Sequence, residues 1–338
     1  MTIRVSDAEF KEIWMKFEGH VPKIAKTLES TERLIYRRRN NLEAREGIAL
    51  PSSKTSITGR PKEYVTKIGH RIELSVKDGI IVVFGDAHYW PGDDSIAHQA
   101  LIRFINVFQP LTIICNGDAF DGAKISRHPP TGWAKMPDVA DELAFCKEKM
   151  GEIEAEAPPK AKLCWNAGNH DTRFSARLAS TAPEYVRVFG TDLPDHFPAW
   201  NFAWSTFIND DIVVKHRFKG GIHAAWNNTL NGGRTVVTNH LHRSCVTPLT
   251  DYNGRRWGVD TGTLSDFGPE ESKFTYGEDN PFNWGSGFGV FTIERGKLLP
   301  PELVVVQDKI PYFRGKSLFA ETVKTKPTVN NPAKAQTE

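Results

Sequence analysis

The sequence has no apolar run near the ~20 residues that a helix needs to cross a bilayer, so no membrane partner is expected. Its first residues, MTIRVSDAEFKE, lack the apolar core of a signal peptide. Cysteine is scarce: four residues, at 115, 146, 164 and 245, with no CxxC pair. That scatter excludes a disulfide framework, and Cys115 and Cys164, set inside apolar runs, read as small core residues. Together these absences predict reduced thiols and a cytoplasmic protein. No internal repeat is present. Charge of one sign is not in excess either, since the formal net charge is only +2. Total charge therefore announces no polyanion partner.

The distribution of charge says more. Residues 1–72 hold 15 Lys and Arg against 9 Asp and Glu, a net of +6, which leaves 28 against 32, a net of −4, for the rest. A basic head on a slightly acidic body places any polyanion-binding surface partly in the head. Residues 1–48 read as three short helices. Ser6 and Glu9 form a capping-box start, followed by Phe10, Ile13, Trp14 and Phe17 at helical spacing. Gly19 breaks that helix, Pro22 opens a second, and Ser30 is the expected N-cap of a third over residues 31–45, ended by Gly47. The head resembles a helix-turn-helix whose last helix carries Arg33, Arg37, Arg38 and Arg39, residues able to reach phosphates and guanine edges. A protein-docking bundle is the competing reading. Residues 49–68 are a basic linker rich in Pro, Ser, Thr and Gly, within which GRPK at 59–62 is similar to a minor-groove arm.

The body, residues 69–315, contains five apolar runs that each end in Asp, Asn or His. They are IIVVFGDAH (80–88), LTIICNGDAFD (111–121), KLCWNAGNHD (162–171), IVVKH (212–216) and a run ending in NHLH (239–242). Ligands in α/β sheets gather at the carboxyl ends of strands, and carboxylate, amide and imidazole groups suit divalent cations. Helices are expected at residues 95–108 and 139–156, between the first three runs. Asp78-Gly79 predicts a hairpin joining HRIELSVK to IIVVF, and further hairpins are expected at Asn209-Asp210, Asn253-Gly254 and 294–297. The fold class expected is α/β, with two packed mixed sheets flanked by helices. Residues 316–338, rich in Thr, Pro, Asn and Lys, are expected to form a disordered tail.

GDAH, GDAFD, GNHD, His216 and NHLH, in that order over residues 80–265, resemble the calcineurin-like metallophosphoesterase family. The resemblance implies two divalent metal ions, manganese foremost, with iron, zinc, nickel or magnesium as alternatives. Asp86, His88 and His242 would hold the first metal, Asn169, His216 and His240 the second, and Asp118 would bridge them. A pair of metals polarises phosphoryl oxygens and lowers the pKa of a shared water. The family makes His170 the acid that protonates the leaving oxygen, and Asp121 would orient it. Two departures stand out. Asn239 replaces the glycine of the usual GHxH block, and HRFKGGIH separates His216 from its glycines, leaving His223 as a rival ligand.

Arg173, with Arg177, Arg127, His128, Lys215, Arg217, Lys219 and Arg243, lies beside these blocks and could grip phosphate oxygens; Arg173 is the foremost candidate. Trp90, Trp133, Trp226 and Trp284 sit in loops, where they either anchor packing or stack on bases. The function expected is a metal-dependent phosphodiesterase, a nuclease acting on DNA. The alternatives are a phosphomonoesterase, a protein phosphatase or a small-nucleotide phosphodiesterase, and, from another class, a DNA-bound regulator with a structural metal site. The layout of head plus body is similar to that of proteins encoded by bacteriophages, which would place it in the host cytoplasm. A homodimer is compatible with this layout.

Overall fold

The computed structural model describes residues 5–48, 50, 67–92, 95–127, 135–267 and 282–320. The chain divides into two compact units, Met1–Thr66 and Lys67–Glu338.

The first unit has three helices: α1 (Asp7–Lys16), α2 (Val21–Thr27) and α3 (Glu32–Glu46). The capping box forms as expected, with Ser6 Oγ accepting from the Glu9 N–H and Glu9 accepting from the Ser6 N–H. The N-cap of α3 is Thr31 rather than Ser30, and Gly47 closes it in the left-handed conformation at φ 65°. Four residues separate α2 from α3. Phe10, Trp14, Ile24, Ile35 and Leu42 are buried together and form the core of this unit. Arg38 and Arg39 help to build it. Arg38 lies over the Phe10 ring and pairs with Asp7 at 3.0 Å; Arg39 lies over Trp14 and pairs with Glu43 at 2.9 Å. Arg33 and Arg37 are exposed. The GRPK segment lies outside the described residues.

The second unit begins with β1 (Ile72–Leu74) and β2 (Gly79–Phe84), then α4 (Ile96–Phe108), β3 (Thr112–Cys115), α5 (Val139–Glu156) and β4 (Lys162–Asn166). Next come α6 (Arg173–Thr181), β5 (Asn201–Ala203), β6 (Thr206–Ile208), β7 (Ile212–Val214), α7 (Ala224–Gly232) and β8 (Thr235–Thr238). The chain ends with β9 (Ser244–Asp251), β10 (Gly254–Thr261), β11 (Gly287–Glu294), β12 (Lys297–Leu298), β13 (Glu302–Gln307), β14 (Ile310–Phe313) and β15 (Lys316–Ser317). β15 pairs with β14, so the sheet reaches two residues beyond the expected boundary at 315. The last residues, 321–338, lie outside those described. Among the described residues no helix is long and apolar enough to cross a membrane.

Two mixed sheets result. One runs β1-β6-β7-β8-β10-β9; the other runs β15-β14-β13-β11-β2-β3-β4-β5, with β12 beside β11. β2, β3, β4 and β5 pair in parallel, as strands joined through helical crossovers must. Strand alternation divides the apolar side chains between two cores. Ile81, Val83 and Ile114 meet Val214, Val237 and Val259 of the opposite sheet. Val82, Phe84, Ile113 and Cys115 face away, toward Ala97, Leu101 and Phe104 of α4 and Met150 and Ile153 of α5. Thr229 of α7 donates to the Trp257 carbonyl of β10 at 2.7 Å, which fastens that helix to the other sheet.

One expected hairpin is absent. β1 does not pair with β2; it lies parallel to β6, with Ile72 opposite Thr206. Asp78 and Lys77 instead hold the β11–β12 turn, accepting from the Arg295 and Gly296 N–H groups at 2.7 and 2.6 Å. β2 belongs at the centre of its sheet between β3 and β11, so both of its edges are taken. The other three expected hairpins form: β6–β7, β9–β10 and β11–β12.

Candidate metal centre

The apolar runs end where the two sheets meet, and their terminal polar residues converge. Asp86 and His88 follow β2, Asp118 and Asp121 follow β3, and Asn169 and His170 follow β4. His216 follows β7, and His240 and His242 follow β8. Among the described residues three groups of possible ligands form, one of which, His88, Asp121 and His170, shares His88 with the first of the two that follow the family pattern. Asp86, His88 and His242 are the first of those two; Asp118, His216 and His240 are the second. Asn169 joins the second group, its Oδ1 3.1 Å from His216 Nε2. All seven expected ligands are therefore brought together, divided as the family pattern implies. His223 is exposed and beside Ile222 and Trp226 in a separate pocket, so His216 is the histidine of that block that joins the cluster.

The backbone that presents these groups is unusual. Asp86, His88, Asp118, His240 and His242 all have positive φ, between 42° and 69°. Residues other than glycine rarely adopt this left-handed region, and each instance costs on the order of 1–3 kcal/mol. Local hydrogen bonds hold the loops there. The Asp86 and His88 N–H groups donate to the Gly117 and Asp118 carbonyls at 2.9 and 3.0 Å. The His240 N–H donates to Asp86 Oδ2 at 2.7 Å, and Thr263 Oγ1 donates to the Asp86 carbonyl at 2.6 Å. Gly168 permits the closest approach, since a Cβ there would lie 2.0 Å from Asp118 Oδ1.

The donor set fits divalent cations. Asp86 is fully buried, and with Oδ2 held by His240 its Oδ1 has no hydrogen-bond partner. That oxygen instead faces His242 Nε2 at 3.3 Å and His88 Nε2 at 3.8 Å. A buried carboxylate oxygen of this kind is costly unless a cation meets it. The histidine rings are set for the same role. His216 Nδ1 donates to the Asn116 carbonyl at 2.9 Å, leaving Nε2 as a lone pair among Asp118, Asn169 and His240. His88 Nδ1 donates to Asp121 at 2.8 Å, leaving Nε2 toward Asp86. Metal-binding imidazoles are fixed in this way by their other nitrogen. Asp118 Oδ1 accepts the His170 N–H at 2.7 Å, so Oδ2, 3.1 Å from His216 Nε2, is the oxygen left for cations. The expectation that its two oxygens divide between two metals meets that constraint.

The electrostatics agree. Burial works to keep His216 neutral, but the charges of Asp118 and Asp86 push it up to about 10. Burial and the neighbouring His216 push His240 down to about 4. Asp118 is buried, which alone would raise its pKa; His216 overrides this and holds the carboxyl well below the usual range. Anionic oxygens and imidazoles this close compete for protons wherever cations do not take them.

His170 stands beside the ligands. Its Nδ1 lies 2.7 Å from Asp121 Oδ1, and its Nε2 faces Asp118 Oδ2 at 4.0 Å. Burial favours the neutral ring, but the Asp121 hydrogen bond and the charge of Asp118 raise its pKa above the ordinary histidine value. Arg173 donates to the Asp121 carbonyl at 2.9 Å, and its Nη2 lies 3.0 Å from His170 Nε2. Arg127, Arg173, Arg177 and Arg217 line one pocket with Asn169. Trp284 lies against His242, their ring centres 4.4 Å apart, and is stacked on Phe282. Trp133 and His128 lie outside the described residues.

Several functional residues were not singled out by sequence reasoning. Asp171 Oδ2 accepts three donors at 2.9 Å: the Asp118 and Gly168 N–H groups and Trp165 Nε1. It fixes the backbone of two ligand loops at once. A ladder of buried amides also crosses between the sheets. Thr206 donates to Asn166, Asn166 to Asn116 and Asn116 to Asn239, each at 2.8 Å, and Asn239 donates to Thr261 at 2.6 Å. This accounts for Asn239 where the family has glycine. Its side chain is a rung, and Gly85 opposite makes room for it, since a Cβ there would lie 2.9 Å from Asn239 Cγ. The available signal was an asparagine closing two apolar strands, at Asn116 and Asn166.

Comparison with known proteins bears on this geometry. A family model described as calcineurin-like phosphoesterase matches residues 80–296. The chain is similar to the Gene 54 protein of Mycobacterium phage D29, 27% identical over 261 residues, which cover 67% of this chain and 93% of that protein. Among solved structures it is similar to a zinc-complexed Vps29 from Entamoeba histolytica, with 13% identity and a TM-score of 0.38, covering 71% of this chain and 99% of the other. It is also similar to an archaeal phosphodiesterase, with 14% identity and a TM-score of 0.34, covering 67% of this chain and 99% of the other.

Proposed function

The chain belongs to the calcineurin-like phosphoesterase family, whose chemistry is metal-dependent phosphoester hydrolysis, and from that premise we propose that it is a phosphodiesterase that cuts nucleic acid, DNA in the first instance. The observation that carries this reading is the position of His170. Its Nε2 points at the ligand cluster from 4.0 Å while Asp121 holds its far side. A sugar alkoxide is a poor leaving group and needs a proton as it departs, and a buried imidazole oriented by a carboxylate supplies one.

Two divalent cations, when held by the Asp86 and Asp118 groups, supply the charge that polarises a phosphoryl oxygen and acidifies an attacking water. The candidate ligands combine oxygen and imidazole donors with no thiolate, a set open to manganese, iron, zinc or nickel, of which we take manganese first. The protein's own residues do the rest. Asp121 holds the proton on His170 Nδ1, so Nε2, which accepts from Arg173 in this state, is the nitrogen that takes up and delivers the mobile proton once Arg173 has moved. Arg173, now 3.0 Å from Nε2, turns its guanidinium to a non-bridging phosphate oxygen when substrate arrives and frees that nitrogen for the leaving oxygen. The basic helical unit, with Arg33 and Arg37 exposed on α3, adds phosphate contacts along the DNA.

The test is direct. Protein loaded with Mn²⁺ is expected to hydrolyse bis-p-nitrophenyl phosphate in preference to p-nitrophenyl phosphate, and to cleave labelled single- or double-stranded DNA. Preference for the monoester with no DNA cleavage would replace this reading with a phosphomonoesterase. Hydrolysis of none of them by metal-loaded protein would leave a DNA-bound regulator with a structural metal site.

A further inference from the structure

The pocket beside His170 carries a charge pattern that hydrolysis of one phosphodiester does not require. It encloses about 370 Å³, within the range of small-molecule sites. Four of its lining residues are arginines, at 127, 173, 177 and 217, and none is acidic. Among the described residues no carboxylate pairs with Arg127, Arg177 or Arg217; Arg173 alone is engaged, with Asp121 and His170. Like charges held together repel, and among the described residues Arg173 alone of the four meets a carboxylate. Arg177 serves no packing role, because it is exposed on α6. The three guanidiniums with no carboxylate partner among the described residues are matched to a ligand with several anionic oxygens.

The pocket is continuous with the catalytic centre. Asn169 is both a possible ligand and part of its lining, and Arg173 touches His170. From there the lining climbs the face of α6 through Ala176 and Arg177 to Ser180. Arg173 and Arg177 are four residues apart on one face of the helix, about 6 Å along the axis. Successive phosphates advance by about 3.4 Å in a duplex strand and further in an extended single strand. A scissile phosphate at Arg173 therefore sets its neighbour in the same strand near Arg177, Arg127 and Arg217.

Next to Arg217, Phe218 is 46% exposed, with Lys215 Nζ 5.1 Å and Lys219 Nζ 5.8 Å from its ring centre. An exposed ring flanked by cations is a surface on which a base can stack. That feature favours a nucleotide strand over bare polyphosphate, which has no ring to place there.

We propose that this pocket is a second phosphate subsite, taking the non-scissile phosphate adjacent to the one that is cut. The substrate is then a strand with at least two phosphates. The inference rests on the phosphodiesterase reading for its account of turnover, but the subsite itself is a matter of binding.

The test separates the two. Affinities of thymidine 5′-monophosphate and thymidine 3′,5′-bisphosphate are measured by calorimetry on the full-length Mn²⁺ protein and on R127A/R177A. The wild type is expected to bind the bisphosphate at least tenfold more tightly, and the variant to lose that advantage. The ratio cancels any loss common to both ligands. With a thymidine oligomer, the log–log salt slope is expected to flatten in the variant by about 0.7 for each phosphate contact removed. Equal affinities in the wild type, or an advantage that survives in R127A/R177A, would overturn the subsite. Competition by inorganic tripolyphosphate as strong as that by an oligomer of equal charge would overturn its assignment to a nucleotide strand. If the bisphosphate advantage stands but the p-nitrophenyl ester of thymidine 3′,5′-bisphosphate is not hydrolysed, the subsite is upheld and the phosphodiesterase reading fails.

Discussion

His88 and His170 hang from a single oxygen atom. Asp121 Oδ1 accepts from His170 Nδ1 at 2.7 Å and from His88 Nδ1 at 2.8 Å, and the two rings meet edge to face at 4.5 Å. One carboxylate thus orients a ring of the first ligand group and the ring proposed to protonate the leaving oxygen. Removing it has two consequences that are separable in experiment. Asp121→Ala is expected to lower turnover by ~10²–10⁴, as loss of general acid catalysis does. It is also expected to weaken metal binding at the first site by ~10–100-fold, as loss of a carboxylate behind a ligand histidine does. Elemental analysis after dialysis reads the second effect; full metal content in an inactive variant would confine Asp121 to His170.

His170→Ala isolates the other branch. Both metals should remain, because His170 is in neither the Asp86 group nor the Asp118 group, although it shares a third possible ligand group with His88 and Asp121. Turnover of a diester with a sugar leaving group should fall by ~10²–10⁴. The deficit should shrink for a nitrophenolate leaving group, which departs without a proton. Equal losses on both would remove the acid role.

Glu142 of α5 sets a pH dependence away from the ligands. Its side chain is buried and accepts from the Gly122 N–H, next to Asp121. Burial pushes its carboxyl from an ordinary value of 4.5 up to about 7. The folded state therefore binds this proton more tightly than the unfolded chain does. Its contribution to stability is complete below pH 4.5 and is lost as the pH rises through 7. Glu142→Gln, which keeps an acceptor and cannot ionise, should flatten the fall in stability across that window. Above pH 7 it should gain up to ~3 kcal/mol relative to wild type. Urea unfolding of chelator-treated protein at several pH values reads this without the pH dependence of metal release. Parallel stability profiles for the two proteins would assign the slope to other groups.

The helical unit separates its arginines by role. R33A/R37A should weaken DNA binding and flatten the log–log salt slope by about 0.9 per phosphate contact, with unchanged thermal unfolding. Arg38 and Arg39 pack over Phe10 and Trp14, so R38A/R39A should lower the unfolding temperature of this unit as well. An unchanged salt slope in R33A/R37A would favour protein docking by the head.

The candidate metal ligands were legible as a set because each follows an apolar strand, and strand ends are where an α/β fold gathers its chemistry. Helices α4 and α5 were legible from their place between successive apolar strand runs. The sheet to which β1 belongs was not. An apolar strand pattern tells which face is buried but not which neighbour it meets, and Ile72 finds Thr206 across the sequence. The Asp78-Gly79 dipeptide resembled a hairpin signal, yet its task is to hold the β11–β12 turn. The amide ladder was illegible for the same reason. Asn116 and Asn239 are 123 residues apart, and nothing local marks them as partners. His216 over His223 could be argued from the strand it closes, whereas Asp171 gave no signal beyond standing next to His170.

Asp86, His88, Asp118 and Asn169 belong to one sheet and His216, His240 and His242 to the other. Bound cations would therefore act as rivets across a seam, with the amide ladder as the stitching beneath them. Sliding of one sheet against the other by a fraction of an ångström changes every ligand distance at once, while leaving each sheet intact. A cavity cut far from the site, for example by Val259→Ala in the layer between the sheets, should then be felt first as leakage of metal and only later as unfolding. The affinity of this centre for its ions is a gauge of how well the two halves of the body are aligned.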